Sequence, residues 1–539
     1  MAILLTGLNR EALCQSDALK GRFEVIKDAR IELPTANRYY DKAEITPTQA
    51  NTKPQNYEIK DVELSLPKLP AKIKVASVKN DELPRLYGGY VKAGFGNYIT
   101  PYAEFFLSNK RNKNYSYGLH GRHLSSSRGP VRYSGTSLNE LSLFGKYFST
   151  QSTISADLSY QRQRVNYYGF DQNIFPFILE DTIKQVYQTF AANAKLENTN
   201  LNSLVSYNIQ PGFIYFKNNF KRSEQELYAI GYLRFKAREQ MNIQTDLHLS
   251  NSKLKDTSTL SRNYFAIKPY GIYEKNRIKF HGGFNVNYTN DTSSQYKNDI
   301  HLYPYLHAQY EISKNKTYFF TGLDGGMKKN MYRFMVAENP YLQSNNAIVN
   351  PNCKYTLYAG IKGNLSNKVN YLVQMNNSRY SNFYFFANAE KDSSRFDALY
   401  DSRHTDELKA KLEIVYSVIR QIRMGGEVNY FAYKVSSIEQ PWQRPALIGK
   451  IFALYNLREK IYFNLDIYYI SSAKGKNLQS GKESVIPQII DPNLKIEYKF
   501  SDTFSAFVQA NNLRAKKYQR YLYYPVRGIN VLGGISFSF

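Results

Sequence analysis

The chain has 539 residues, of which 42% are hydrophobic and 15% aromatic, and its formal net charge is +26. It contains no run of about 18 apolar residues, which excludes a transmembrane helix. The basic residues are spread along the whole chain rather than gathered in one block, which argues against nucleic acid as a partner. The 48 Tyr and 32 Phe instead suit a surface that is half apolar and half wet, such as a membrane interface.

The first 85 residues differ from the rest of the chain. Residues 1–19 carry a short apolar run that Arg10 and Glu11 interrupt, which we interpret either as the remnant of a signal peptide or as the result of a misplaced start codon. Residues 20–85 hold repeated prolines and no sustained period. Because proline fixes φ and removes a hydrogen-bond donor, this composition predicts an extended polar segment.

From residue 86 to the end, apolar and polar residues alternate with a period of two. In the stretch MNIQTDLHLS, for example, Ile243 and Leu247 lie on one side and Gln244 and Asp246 on the other. A helical period would scatter these polar residues over the apolar face. The alternating segments run for about ten residues or more, which is long enough for tilted strands that cross a membrane.

The connections between these segments alternate in length, as in barrels with short periplasmic turns and long external loops. The short connections cover 110–114, 149–152, 197–200, 237–241, 274–278, 313–317, 366–370, 418–422, 457–461 and 501–504. The longer ones cover about 163–186, 327–353, 377–405, 471–490 and 511–528. Since lipid cannot satisfy a free sheet edge, the pattern predicts an all-β, closed transmembrane barrel of about 22 antiparallel strands over residues 86–539. The segment 20–85 would then lie in the periplasm.

The chain ends on INVLGGISFSF, which we interpret as the closing strand. Ile535, Phe537 and Phe539 share its apolar face, and an aromatic ring is the last residue. Bacterial barrels commonly end in this way, and the insertion machinery reads that end. These three residues are therefore predicted to form a membrane-assembly signal.

The last hairpin, residues 505–539, resembles that of TonB-dependent receptors. The motif residues are Asn512, Leu513, Tyr518, Tyr524, Pro525 and Gly528. The aromatic and basic texture is similar to that of family members from Bacteroidetes. The family carries an N-terminal plug inside its barrel, whereas the irregular residues before the first strand show no convincing plug. We therefore expect a plugless relative, or a plug that is supplied otherwise.

This resemblance implies a place in the outer membrane of a Gram-negative bacterium. The expected partners are outer-membrane lipid and lipopolysaccharide, the barrel-insertion machinery, and TonB or other periplasmic or outer-membrane proteins. The leading function is that of a TonB-dependent receptor-like barrel that binds or passes a solute. The alternative is a non-transporting barrel that scaffolds an outer-membrane complex, and a barrel enzyme comes third.

The sequence gives no sign of a catalytic, cofactor or metal site. No Ser stands in a recognisable nucleophile context, and the seven His show no metal-ligand spacing. The polar faces of the strands carry mixed charge, which either forms a hydrated, salt-bridged wall or lines a cation-rich path for anionic solutes. The candidate lumen charges are Arg234, Lys236, Arg238, Asp246, Arg423, Glu427, Asp466, Lys495, Glu497 and Lys499.

Two of the long connections, 167–181 and 379–400, are apolar for exposed loops. Exposed aromatic loops often mark the binding of a ligand or a partner. Alternatively, the two loops fold inward and narrow the pore. The sequence favours neither alternative.

We predict that Phe539→Ala reduces assembly in cells far more than folding in vitro. Burial of one ring contributes only about 1.5–3 kcal/mol, which a barrel of this size should survive. The measurement compares heat-modifiable barrel in outer-membrane fractions with the refolding yield from urea. If both quantities fall together, Phe539 acts through ordinary packing; if neither falls, the terminal ring is not a signal.

Overall fold

The computed structural model describes residues 86–539 except 128, 172, 175–176, 201–202, 257 and 291–298. The predictions of a signal remnant, an extended periplasmic segment and a missing plug therefore lie outside the described residues. Within the described part, no helix is long and apolar enough to cross a membrane.

The secondary structure consists almost entirely of strands. The elements up to the middle of the chain are β1 (Gly89–Gly96), β2 (Thr100–Ser108), β3 (Tyr115–Ser126), β4 (Thr136–Phe148), β5 (Ser152–Asn166), α1 (Glu180–Ile183), β6 (Lys184–Asn198), β7 (Val205–Asn218), β8 (Ser223–Arg238), β9 (Met241–Lys255), β10 (Thr259–Lys275), β11 (Ile278–Thr289), β12 (Asp299–Ser313), β13 (Thr317–Met327) and α2 (Tyr332–Glu338). The remaining elements are β14 (Asn352–Ser366), β15 (Val369–Ser381), β16 (Phe383–Asn388), β17 (Phe396–Asp401), β18 (Thr405–Ile419), β19 (Ile422–Lys434), β20 (Leu447–Leu457), β21 (Ile461–Ile470), β22 (Ala473–Lys476), β23 (Glu483–Ile486), β24 (Ile489–Lys499), β25 (Phe504–Asn511), β26 (Gln519–Tyr521), β27 (Tyr524–Pro525) and β28 (Asn530–Ser538).

Twenty-two of these strands form one antiparallel sheet, and three short hairpins (β16–β17, β22–β23 and β26–β27) lie outside it. The sheet closes because β28 pairs with both β25 and β1. At this seam Val91 is opposite Phe537, and the amide of Gly88 donates to the carbonyl of Phe539 over 2.7 Å. The predicted all-β barrel of about 22 antiparallel strands is confirmed, and the C-terminal stretch is its closing strand.

The two ends of the barrel differ. Ten connections of two to six residues lie at the end that holds both β1 Gly89 and the C-terminus, which we call the turn end. They cover 109–114, 149–151, 199–204, 239–240, 276–277, 314–316, 367–368, 420–421, 458–460 and 500–503. Each matches one of the ten predicted short turns. The long connections, including 167–183, 328–351, 382–404, 471–488 and 512–529, all lie at the opposite end, which we call the loop end.

The period-two pattern sorts side chains between the outside and the inside of the barrel. Along β8, Leu227, Leu233 and Phe235 are exposed on the outward face. Glu224 and Glu226, at alternate positions, are buried on the inward face. An apolar outer face and a polar inner face are what a barrel surrounded by lipid requires.

A glycine at the seam allows two strands and a ring to pack closely. A Cβ atom at Gly94 would lie 2.7 Å from the carbonyl oxygen of Gly533 and 3.3 Å from the ring of Phe507. The stretch GYVKAGFGNY therefore uses its glycines inside and at the ends of strand β1, with no helix following.

We predict that Leu247→Arg lowers the yield of folded barrel in lipid more than Asp246→Arg does. Leu247 pairs with the outward, exposed Ile267 near the middle of β9. An arginine facing lipid near mid-strand costs about 2–4 kcal/mol. The measurement is the fraction of heat-modifiable barrel after refolding into vesicles. Equal refolding of the two variants would contradict the assignment of Leu247 to the lipid face, and a larger loss in Asp246→Arg would mean that the two faces of β9 are reversed.

Candidate functional site: a cap over the loop end of the barrel

The longest connection at the loop end, residues 328–351, folds into a buried structure that we call the cap loop. It contains the two-turn helix α2, and Tyr332, Met335 and Leu342 within it are fully buried. Full burial of three large side chains in a surface connection requires that other loops cover them. Those loops, together with the cap loop, form an apolar cluster at this end of the barrel.

A carboxylate from the barrel wall caps the start of α2. The residue before the helix, Met331, is extended and offers no side-chain hydrogen bond. Instead, Glu224 of β8 accepts from the amide of Tyr332 over 2.7 Å and from the amide of Arg333 over 3.1 Å. The first amides of a helix need external acceptors, and a negative charge there also interacts favourably with the helix dipole. The inward carboxylate of β8 thus fixes the position of α2.

A second wall carboxylate forms a buried ion-pair cluster with the cap loop. Both Lys329 and Arg333 pair with Glu226, and the Ser250 hydroxyl also donates to this carboxylate. The Glu226 side chain is completely buried, so neither water nor salt screens the cluster. Removing one member would leave an uncompensated buried charge, which is strongly destabilising.

Two buried arginines hold the backbone of the cap loop. Arg222 donates to the carbonyls of Ser344 and Asn346, and its guanidinium lies 4.2 Å from the ring centre of Tyr332. Arg262 of β10 donates to the carbonyl of Asn330 over 2.8 Å, and to the side chain of Asn350 over the same distance. Guanidinium groups can satisfy several carbonyls at once, which suits an irregular backbone.

The cap loop is also attached on the opposite side. Glu338 at the end of α2 pairs with Arg444 of the β19–β20 loop and accepts from the Tyr384 hydroxyl over 2.8 Å. Tyr341 stacks on Tyr524 of the β25–β28 loop, with 3.6 Å between ring centres. These contacts combine charge-assisted hydrogen bonds with aromatic stacking.

The positions of these attachments show that the cap loop crosses the mouth of the barrel. The loop leaves from β13 and returns to β14. It contacts β6, seven strands back along the sheet, where the Tyr187 hydroxyl donates to the carbonyl of Pro340 over 2.8 Å. It also contacts the loop after β25, seven barrel strands forward from β14, where the Tyr521 hydroxyl donates to the carbonyl of Glu338. A segment can reach both arcs of a closed ring only by passing across the opening.

Burial tunes the titrating groups of the cap so that its tyrosines stay neutral. Burial raises the pKa of Tyr332 to about 12 and holds the pKa of Tyr341 well above its usual range. The hydroxyl groups therefore remain hydrogen-bond donors at physiological pH. Burial lowers the pKa of Lys329, although the neighbouring Glu226 opposes this effect.

The apolar loop 167–181 folds inward at its base and is exposed at its tip. At its base Tyr167 is buried, and its hydroxyl donates to the carbonyl of Leu342 in the cap loop over 3.2 Å. Toward the tip, Phe177 and Leu179 are 87% and 78% exposed. The base of the loop thus folds into the cap, and the tip presents apolar side chains to the surroundings.

The loop 379–400 folds inward. Its hairpin β16–β17 buries Phe385, Phe386 and Phe396, and the amide of Phe396 donates to the carbonyl of Tyr341 over 3.0 Å. Phe386 and Phe396 therefore belong to the same apolar cluster as Tyr332, Met335 and Leu342 of the cap loop.

All candidate lumen charges except Arg238 alternate with the outward apolar residues of their strands, and several have partners there. Arg238 follows a β-bulge and is opposite the outward Met241. The side chain of Gln244 accepts a hydrogen bond from Arg234 over 2.7 Å. The same side chain donates to Asp246 over 2.6 Å. Lys236 and Arg238 are exposed near the turn end of β8.

The remaining candidate charges are on later strands. Lys499 lies 4.8 Å from the ring centre of Tyr462, and Arg423 is exposed. The other candidate charges on these strands form three ion pairs: Lys411–Glu427 (3.3 Å), Lys450–Asp466 (2.9 Å) and Lys495–Glu497 (3.5 Å). Acidic and basic residues alternate along this part of the wall, and a path for anionic solutes stays a prediction.

At the C-terminus, Ile535 and Phe537 point outward and are exposed, and the Phe537 ring stacks 6.1 Å from that of Phe539. Their role as an assembly signal stays a prediction.

The residues of the family-like motif build the loop before the closing strand. The side chain of Asn512 donates to the carbonyl of Lys516 over 2.7 Å, and the Tyr518 hydroxyl donates to Asp491 over 2.7 Å. Tyr524 is buried under the cap loop.

Sequence reasoning missed the residues that fasten the cap. Glu224, Glu226 and Arg222 follow the inward pattern of their strand and turn, and nothing local distinguishes them from other wall charges. Their partners in the cap loop lie more than 100 residues away in the sequence. The feature of the sequence that pointed to a site at this end was the length and aromatic content of the loops.

The barrel is similar to solved structures of transporters and receptors. One is the FrpB iron transporter from Neisseria meningitidis (F3-3 variant), with a TM-score of 0.66, 10% identity, and coverage of 85% of this chain and 82% of that one. Another is the siderophore receptor PirA from Acinetobacter baumannii, with a TM-score of 0.65, 12% identity, and coverage of 85% and 81%. A third is the copper transporter OprC, with a TM-score of 0.62, 10% identity, and coverage of 85% and 82%.

No protein-family model matches the sequence, and no curated protein matches it either. At 10–12% identity the similar structures establish the fold, which is that of outer-membrane receptor barrels with 22 strands. The fold implied by the last hairpin is thus confirmed. The Bacteroidetes-type texture stays a prediction.

We predict that Glu226→Gln loosens the cap loop, whereas Asp256→Asn does not. The first change leaves Lys329 and Arg333 buried without their main counter-charge, and breaking such a buried cluster costs about 3–5 kcal/mol. The second removes a partly exposed partner 3.7 Å from Arg222, which is worth about 0–1 kcal/mol.

Hydrogen–deuterium exchange of the amides in residues 332–342 measures the difference between the two variants. Faster exchange in Glu226→Gln alone is expected. Equal protection in both variants would show that the cap does not depend on the buried cluster.

Proposed function

We propose that this protein is a TonB-dependent receptor-like barrel of the Gram-negative outer membrane that binds or passes a solute, with the cap loop as the barrier at its outer mouth. The observation that carries the proposal is the cap loop itself, which crosses the mouth and is attached to both arcs of the ring. The short turns then face the periplasm and the loop end faces outward, as in outer-membrane barrels generally.

The inner wall supports a solute path rather than a solid core. Its strands carry charged and amide side chains at inward positions, among them Asp246, Glu427 and Lys495. Buried polar groups need partners, and here many of them pair along the wall itself. A barrel of 22 strands is wide enough to hold a lumen whose ends must be closed by other elements.

The polar attachments of the cap loop favour controlled opening of the barrel mouth. Its attachments include many hydrogen bonds and ion pairs, such as those of Glu226 and Glu338, beside its apolar cluster. Replacing a buried ion pair by apolar groups is often neutral or stabilising, so ion pairs add specificity of position more than stability. A barrier fastened in this way can be released by a ligand that binds the open arrangement better.

The proposal includes the partners that such a barrel needs. These are outer-membrane lipid and lipopolysaccharide around it, the insertion machinery during assembly, and TonB or another periplasmic protein for energised transport. No nucleic acid is part of it.

A scaffold for an outer-membrane complex is the second candidate. The exposed tip of the loop 167–183, with Phe177 and Leu179, favours it, because exposed apolar side chains at a loop tip mark contact surfaces. A scaffold would have no need to open its cap. Nothing in the described residues favours the barrel enzyme over these two functions.

We predict that replacing residues 331–348 by a short Gly-Ser linker increases the single-channel conductance of the full-length protein in planar bilayers. The reason is that the cap loop covers the mouth from both arcs. Replacing residues 478–482, the tip of the β22–β23 hairpin, serves as a control of similar location and should leave conductance unchanged.

Large steady currents from the unaltered protein would show that the cap is no barrier. Silence after removal of the cap would instead favour the scaffold.

A further inference from the structure

The outward surface of the barrel carries a cavity at the turn end, beside the seam between β1 and β28. Its volume is about 500 Å³, within the range of about 300–1,000 Å³ typical of ligand sites. The lining residues are Gly88, Leu107, Ser108, Asn109, Lys110, Tyr117, Gly118, Leu119, Leu143, Phe144 and Phe539.

The apolar wall of this cavity faces away from the lumen. Leu107, Tyr117 and Leu143 are exposed on the outward face of β2, β3 and β4. Tyr115 and Tyr147 beside them are exposed aromatic residues at the same height. Aromatic residues form girdles at the membrane–water interfaces of such barrels, which places the cavity where acyl chains meet headgroups.

The edge of the cavity toward the turn is basic. The turn 109–114 reads NKRNKN, and Lys110 and Lys113 in it are exposed. Within the part of the chain that the structure describes, neither of these two lysines has a carboxylate partner. The stem of Lys110 packs over Gly88, where an added Cβ atom would lie 3.1 Å from the Lys110 Cε.

Two asparagines fix this turn in place. The side chain of Asn112 accepts from the amide of Tyr115 over 3.1 Å, and that of Asn109 accepts from the amide of Tyr117 over 2.8 Å. Lys110 therefore stands on an ordered turn beside the apolar wall, and Lys113 lies on the same turn. This arrangement puts a cationic site and an acyl-chain groove next to each other.

We propose that this cavity binds one anionic phospholipid of the inner leaflet, with an acyl chain along the apolar wall and the phosphate at Lys110 and Lys113. The leaflet follows from the proposed function, which places the turn end in the periplasm. The chemistry is that of a lipid phosphate monoanion, because a soluble anion would gain nothing from Leu107, Tyr117 and Leu143.

A second cavity on the barrel has the same makeup. It measures about 400 Å³ and lies at another short turn of the same end, where basic side chains adjoin aromatic and aliphatic ones. Its lining residues are Tyr273, Lys275, Asn276, Arg277, Ile278 and Tyr310. A basic turn next to an apolar wall thus occurs twice at this end of the barrel. Such an arrangement favours contact with an anionic leaflet.

The test measures lipid binding to the full-length protein in detergent by native mass spectrometry, with dioleoyl phosphatidylglycerol and dioleoyl phosphatidylcholine as probes. We expect the unaltered protein to prefer phosphatidylglycerol. In a Lys275→Gln/Arg277→Gln background, which removes the basic residues of the second cavity, the further change Lys110→Gln/Lys113→Gln should weaken binding of that lipid about 30-fold, the effect of two basic residues at an anionic lipid.

A second variant tests the apolar half of the site. Leu143→Trp fills the groove and should weaken binding of both lipids. The matched controls are Lys314→Gln/Lys316→Gln, on a turn that lines neither cavity, and Ile451→Trp, on an outward face elsewhere. Both controls should bind like the unaltered protein.

Three results would overturn the proposal: unchanged phosphatidylglycerol binding when Lys110→Gln/Lys113→Gln is added to the Lys275→Gln/Arg277→Gln background, competition by glycerol phosphate equal to that of the full lipid, or displacement by lipopolysaccharide at equal concentration. Failure of the unaltered chain to form a heat-modifiable barrel in vesicles would refute the proposed function as well. A folded barrel without lipid preference refutes the lipid site alone.

Discussion

The structure depends on one constraint, the need to pair every backbone amide and carbonyl where the chain is surrounded by lipid. An unpaired group in hydrocarbon costs several kcal/mol, so an open sheet edge cannot exist there. The seam between β1 and β28 meets this need, and it runs to the last residue, since the amide of Gly88 bonds to the carbonyl of Phe539. Closure in turn creates an inside and an outside, and the polar wall, the cap and the outward cavity all follow from that separation.

The same constraint explains why so much of the fold could be predicted from the sequence. Period two is a local signal, and in a barrel a charged residue on the lipid face carries a large penalty, so Asp246 and Leu247 keep the pattern although Ile230, opposite His248, is an apolar residue at an inward position. The ten short turns were equally legible because two strands can be joined tightly only where polar turn residues interrupt the pattern. Strand number then followed from counting, without any information on long-range contacts.

The candidate site could not be found in this way, because it is built from contacts that no local pattern encodes. Glu224 caps α2 from a strand 108 positions earlier in the chain, and Tyr341 stacks on a ring near the C-terminus. The sequence did show that loops such as 379–400 are apolar for exposed loops. It could not tell folding inward from binding outward, since both satisfy the same composition. In the structure the base of the loop 167–183 is buried and its tip is exposed.

The cap also shows why an irregular segment can close a wide barrel without becoming part of its sheet. A strand laid across the mouth would leave its amides unpaired, because the barrel offers no free edge there. The cap loop instead places its polar backbone against side chains: Arg222 and Arg262 donate to its carbonyls, and Glu224 accepts from its amides. Side chains can change partners one at a time, whereas strand ladders separate only together. A segment held by side chains can therefore move while the wall stays intact, which is the property that the proposed function requires of the cap loop.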